Sequence, residues 1–138
     1  MSRKPAVGMQ FGALPVRMRD GRPVVMLVTS RDTGRWVIPK GWPMPGLTRE
    51  QAAATEAFEE AGLRGRIIGP CMGGYSYWKQ FRRQRMLCTV DVFLFRVDAE
   101  LSRWPEKRQR LRSPKVSVTR HRCVASSDIV LGVPWRAR

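Results

Sequence analysis

The segment from Thr48 to Gly62 carries every signal needed for one helix, and it limits what the rest of the chain can fold into. Thr48-Arg49-Glu50-Gln51 matches a capping box, in which the Thr side chain accepts from a first-turn amide and Gln51 reaches back to the Thr48 amide. Gly62 stands just past the last helical position as a C-terminal stop. The spacing predicts a helix over 49–61, roughly three and a half turns. Ala54, Ala57, Phe58 and Ala61 recur on it at i, i+3, i+4 and i+7, an apolar stripe suited to packing on a sheet. Glu56, Glu59 and Glu60 fall together in another sector about 100° wide. A helix this short is marginal alone in water, so the chain must supply a surface for it to dock on.

That surface reads as a sheet. Phe11 to Met18 is a strand pattern, Asp20-Gly21-Arg22-Pro23 a hairpin turn, and Val24 to Thr29 a continuously apolar run of the kind buried on both faces. Arg31-Asp32-Thr33-Gly34 is the next turn. Arg35 to Ile38 is a short strand that stops at Pro39, and a Gly- and Pro-rich loop runs from Lys40 to Leu47. After the helix, apolar runs follow at Arg66 to Gly69 and, more strongly, at Leu87 to Val97. Strand, helix and strand alternate, which predicts an α/β or α+β sandwich.

Size and composition bound the answer further. With 138 residues, 43% of them hydrophobic, the chain can bury one core and is neither multi-domain nor wholly disordered. No apolar run reaches the ~20 residues of a membrane helix. Gly8, Gln10, Gly12 and Pro15 interrupt the only stretch resembling a secretory leader, so a leader is not expected. Cys71, Cys88 and Cys123 show no paired spacing, which fits a reducing cytoplasm and suggests neither a disulfide framework nor a zinc site. Lone His121 has no acid or nucleophile near it in sequence and reads as a surface residue.

The net charge is +15 and is unevenly spread. Residues 1–100 carry +7 and residues 101–138 carry +8, so the expected organisation is one folded domain over 1–107 and a basic tail over 108–138. The tail offers a weak strand candidate at Val116 to Thr119 and no amphipathic helix.

In so basic a chain, three glutamates on one helix face stand out. Like charges at these spacings repel, and only Arg64 is favourably spaced to answer Glu60. A hard divalent cation, Mg²⁺ or Mn²⁺, would neutralise such a cluster.

The stretch from Gly41 to Leu63 resembles the 23-residue Nudix box, G-x5-E-x7-R-E-U-x-E-E-x-G-U, with Gly41, Glu56, Glu59, Glu60, Gly62 and Leu63 in register. Pro39-Lys40-Gly41, and Thr29 to Met44 more widely, are similar to bacterial members of the diphosphoinositol polyphosphate phosphohydrolase-like branch and to diadenosine polyphosphate hydrolases; the likeness runs from about Phe11 to Lys107. Two positions depart from the box. Leu47 replaces its first Glu, and Thr55 replaces an Arg that in the family helps hold the glutamates in orientation.

The resemblance implies a mixed sheet between helices with the box as loop, helix and loop. It implies a divalent ion held by Glu56, Glu60 and the backbone at Lys40, with Glu59 as general base, a role that some branches give to the residue matching Glu56. It also implies a closing helix, which the tail does not spell out; without it, the expectation is lower stability or a homodimer that covers the bare sheet, so monomer and homodimer both stand. The expected activity is metal-dependent hydrolysis of a phosphoanhydride in a nucleoside diphosphate-X substrate, most of all a diadenosine or diphosphoinositol polyphosphate. Candidates for gripping that small-molecule polyphosphate are Arg31, Arg35, Lys40, Lys79, Arg82, Arg83 and Arg85, the last four flanking a predicted hairpin tip after Tyr75, Tyr77 and Trp78. Two alternatives stand beside this. The basic tail suits nucleic acid and hence a 5′-end RNA pyrophosphohydrolase. The two box departures suit a catalytically weak polyphosphate or nucleic-acid binding module.

Overall fold

The capping signals act as read. In the computed structural model, which describes residues 6–119, 122–123 and 136–137, α1 runs Arg49–Ala61 with Thr48 as N-cap and Gly62 in the left-handed conformation at its end. The capping box closes through Gln51 N to Thr48 Oγ1 at 3.1 Å and Thr48 N to Gln51 Oε1 at 2.9 Å.

Around it lie strands β1 (Ala6–Arg19), β2 (Arg22–Thr29), β3 (Trp36–Val37), β4 (Lys40–Gly41), β5 (Leu63–Phe81), β6 (Gln84–Glu100), β7 (Arg112–Thr119), β8 (Arg122–Cys123) and β9 (Arg136–Ala137). The sheet order is β8-β7-β2-β1-β6-β5-β9, with β3 added to β2 and β4 to β1. It is mixed. β1 and β6 are parallel, Ala6 opposite Met86 through Val16 opposite Arg96, while the other pairs are antiparallel. The strands are longer than the apolar runs that signal them, because β5 and β6 continue as a hairpin out to Phe81 opposite Gln84.

The sheet buries side chains on both faces. Met26 and Val28 of β2 pack with Phe93, Phe95 and the helix alanines, while Val25 and Leu27 pack on the other face with Ile38, Tyr75, Val90 and Val92. The continuous apolar run 24–29 therefore does what such runs do in a central strand. Among the described residues α1 is the one helix, and none is long and apolar enough to cross a membrane. Of the region 108–138 in which a closing helix is expected, the described part includes β7, β8 and β9 and no helix, while His121 and residues 124–135 lie outside the described residues.

Three local expectations are corrected. Lys40 and Gly41 are not loop but β4, held antiparallel to Gly12 and Phe11. Residues beyond 107 are not wholly an appendage: β7 starts at Arg112, ahead of the apolar signal at Val116, and pairs with β2. The helix also faces differently. Its buried residues are Ala52, Ala53, Glu56, Ala57, Glu60 and Ala61, whereas Phe58 is 37% exposed and Ala54 only half-buried. The core sector is rotated by about 100° from the stripe that hydrophobicity suggests. Small alanines allow close approach to the sheet, and that approach carries two glutamates inward with them.

The segment after β6 explains how the helix ends. The last four carbonyls of a helix have no partner within it. Here the Phe58 carbonyl accepts from Gly62 N, that of Glu59 from Glu106 N at 3.0 Å, that of Glu60 from Trp104 Nε1 at 3.1 Å, and that of Ala61 from Arg112 Nη1 at 2.9 Å. Arg112 also bonds the Leu101 carbonyl at 3.0 Å and lies over the Trp104 ring at 4.2 Å. α1 has no basic residue in its own last turn, so Arg112 is the cation at the negative end of its dipole. Arg112→Ala should lower the free energy of unfolding by about 2 kcal/mol, the scale of losing charge-assisted bonds to buried carbonyls. Urea denaturation showing no change would contradict this role.

Candidate active site

Glu56 and Glu60, one turn apart on the inward sector of α1, are only 8% and 6% exposed. The helix presents them to β4. The Lys40 amide donates to Glu60 Oε2 at 3.2 Å, and the bare Gly41 backbone lies against the Glu56 carboxylate so closely that a Cβ there would overlap it. This is why the position before the loop must be glycine: the requirement is clearance, not conformation. Arg110 closes the opposite side, with Nη2 3.2 Å from Glu60 Oε1 and Nε 2.9 Å from Glu106 Oε1.

Burial dominates the electrostatics. It pushes the Glu56 carboxyl up to about 8, helped by the neighbouring charges of Glu60, Glu59 and Glu106. It pushes Glu60 up to about 6, against the opposing pull of Arg110 and Lys40. Burial likewise lowers the Lys40 ammonium below its usual range. Nearby, the Tyr75 hydroxyl is buried with no hydrogen-bond partner among the described residues, on a side chain 4% exposed.

A divalent cation fits this arrangement. Arg110 pairs with Glu60, whereas among the described residues Glu56 has no ion pair, and Tyr75, whose buried hydroxyl has no partner among those residues, belongs to the same cavity's lining. Among the described residues no set of three His, Cys, Asp or Glu side chains forms a closed ligand cage. Mg²⁺ commonly sits on one or two carboxylates and fills its remaining positions with water and substrate phosphates, so an open two-carboxylate site suits it better than a cage would.

The carboxylates lie in a cavity of about 1220 Å³. Glu59 shares its wall, and so do Arg31, Arg35, Lys40, Lys79 and Arg82 of the candidate gripping residues. Arg83 and Arg85 lie on or beside the β5–β6 turn outside that wall, Arg85 stacked 4.5 Å over Trp78. Arg31 is already engaged, Nη1 donating to Gln109 Oε1 at 2.8 Å. Lys40 Nζ sits 5.1 Å over the Tyr77 ring, whose hydroxyl donates to Gln10 Oε1 at 2.6 Å. Trp42 and Trp78, half-exposed, form part of the rim.

Sequence reasoning missed Glu106 and Arg110, both on the cavity wall. Arg110 was counted only as tail charge. The one available signal was that Glu106 and Arg110 stand four apart, one acid amid a basic run, which is the spacing of a local ion pair.

Two outcomes follow from this geometry. Because both carboxyls hold protons to higher pH folded than unfolded, the folded metal-free chain binds more protons between about pH 4.5 and 8, and the pair's contribution to stability falls as pH rises through that window. The melting temperature of metal-free protein should therefore fall more steeply over this range than that of Glu56→Gln, and added Mg²⁺ should raise it more at about pH 8 than at pH 5; parallel curves would contradict the pairing. Gly41→Ala should cost roughly 1–3 kcal/mol by overpacking against Glu56, measurable by urea denaturation.

The NUDIX domain family model matches residues 8–121. Nudix hydrolase 16, mitochondrial, of Arabidopsis thaliana is 35% identical over 99 residues, covering 67% of this chain and 54% of that protein, so the chain spans about half the length of that relative. Among solved structures, C. elegans Ap4A hydrolase superposes with a TM-score of 0.52 at 20% identity, over 78% of this chain and 80% of that one. The MutT protein from Methanosarcina mazei Go1 gives 0.55 at 20% identity, over 80% and 78%. The structural matches carry the fold alone, while the family model spans β2 to β7, the helix and both buried glutamates: the chain belongs to the NUDIX domain family.

Proposed function

We propose that this chain is a Nudix hydrolase that cleaves a phosphoanhydride with a divalent ion, Mg²⁺ or Mn²⁺, held at Glu56 and Glu60. The observation that carries the reading is the pair of buried carboxylates at a cavity whose walls bear Arg31, Arg35, Lys40, Lys79 and Arg82. Negative oxygens for a cation and positive side chains for phosphates occupy one space, which is what an attack on a polyphosphate requires.

A bound divalent ion would lower the pKa of a coordinated water and neutralise the phosphate oxygens. The protein supplies the rest. In this reading Glu59, half-buried on the cavity wall, takes the water's proton, and Glu56 is the alternative base. The basic wall orients the phosphate chain, and the backbone at Lys40 closes the carboxylate end. Among polyphosphates, the rim favours a dinucleoside such as a diadenosine polyphosphate, because Trp42 and Trp78 are half-exposed there and a base can take the ring faces over which Lys79 and Arg85 now lie. The number of wall cations favours a second reading, a diphosphoinositol polyphosphate, whose charge density needs more such groups and whose ring needs no stacking surface. Both readings take a small molecule as partner in a reducing compartment such as the cytoplasm.

The test is phosphate-product release from diadenosine polyphosphates, diphosphoinositol polyphosphates, nucleoside diphosphate sugars and 5′-triphosphorylated RNA, with and without Mg²⁺ or Mn²⁺. Metal-dependent cleavage of a dinucleoside polyphosphate is expected. In Glu59→Gln the turnover should drop by about 10²- to 10⁴-fold, and in Glu60→Gln it should be lost, with circular dichroism unchanged. Ligand binding without product from any substrate would instead make the chain a binding module, and cleavage of the RNA alone would reassign the substrate.

A further inference from the structure

Thr55 of α1 makes no hydrogen bond to the carboxylates it precedes. The Thr55 hydroxyl donates to the Gln51 carbonyl at 2.8 Å, one turn back in its own helix. Yet Glu60 is firmly held. Arg110, its side chain nearly fully buried, spreads one guanidinium over three acceptors: Glu60 Oε1 at 3.2 Å, Glu106 Oε1 at 2.9 Å and the Thr29 carbonyl at 3.0 Å. The Lys40 amide takes the other Glu60 oxygen at 3.2 Å. With each oxygen engaged by a different donor, the carboxylate is fixed in rotation as well as in place.

We propose that Arg110 is the positioning residue for Glu60, supplying from the segment after β6 the carboxylate-holding contact that Thr55 does not make. A planar fork with fixed donor directions is required, because the three acceptors come from β2, α1 and the segment between β6 and β7. A flexible ammonium carries the same charge without that geometry. Arg110 thereby ties three separate parts of the chain to the orientation of one carboxylate, and Glu106 in turn fixes Arg110. This rests on the metal reading of Glu56 and Glu60 above.

The test uses Arg110→Lys, which keeps the charge and removes the fork. Mn²⁺ affinity is measured by electron paramagnetic resonance, and kcat and KM on the best substrate of the panel. Loss of an outer-shell partner predicts a rise in the Mn²⁺ Kd of about tenfold and a fall in kcat of about tenfold or more, with KM within about twofold. Thr55→Arg added to Arg110→Lys should recover part of both. Unchanged Kd and kcat in folded Arg110→Lys would overturn the proposal. A rise in KM alone would overturn it too, by making Arg110 a substrate contact, and absence of any recovery would overturn the exchange of roles with position 55. Should Arg110→Lys fail to fold, Glu106→Gln decides the matter: the same direction of change in Mn²⁺ Kd supports the proposal and an unchanged Kd overturns it. Wild-type protein that binds no Mn²⁺ would remove the metal reading itself, whereas Mn²⁺ binding that is indifferent to Arg110→Lys removes only this inference.

Discussion

Glu56 and Glu60 are held out of water one helical turn apart, and most of the surrounding structure is a response to that placement. Buried like charges are tolerated only when opposite charge, protons or hydrogen-bond donors reach them. Here the donors come from far along the chain: an amide of β4, and a guanidinium fifty residues beyond the helix. A helix packed through alanines brings the carboxylates near the sheet, and a glycine in β4 lets them approach without collision. If the helix carried a larger core stripe, it would stand further off and both contacts would be lost.

The same segment that answers the carboxylates also ends the helix. Trp104, Glu106 and Arg112 take three of the four terminal carbonyls of α1, while Arg110 reaches its side chains. Leu111 then bonds Thr29 through both backbone and hydroxyl, which joins this wrap to the end of β2. Electrostatics at the helix terminus and at the carboxylates are therefore managed by one short stretch, residues 101–112, between two strands of the sheet.

The helix was legible to the residue, because a capping box and a glycine stop are local signals whose partners lie within a few positions. The two-faced burial of β2 was legible for a similar reason, since a continuous apolar run has few other uses. The orientation of α1 was not. Hydrophobicity placed Phe58 inward and the glutamates outward, but the inward sector is set by what stands opposite, and opposite Glu60 stand Lys40 and Arg110. The basic C-terminal region misled for the same physical reason: Arg110 and Arg112 read as solvated charge because their acceptors, at positions 29 and 60–62, are remote in sequence. For the candidate site, the glutamates and much of the basic wall came from spacing and motif, while the residues that organise them came only from the fold.

The parallel pairing of β1 with β6 has a consequence for the order in which the molecule assembles. The β1–β2 and β5–β6 hairpins each close a turn of two residues, whereas joining them along β1 and β6 brings Ala6 to Met86 across eighty residues of chain. The entropy of closing such a loop is spent before any of its contacts form, so the two hairpins are early elements and their joining is a later one. β4 is anchored to β1 through Phe11 and Gly12, and β4 carries the Lys40 amide and the Gly41 clearance on which the carboxylates rely. The helix and both hairpins can thus form separately, whereas the buried setting of Glu60 exists only once β4 lies on β1 and the segment bearing Arg110 has closed over the helix.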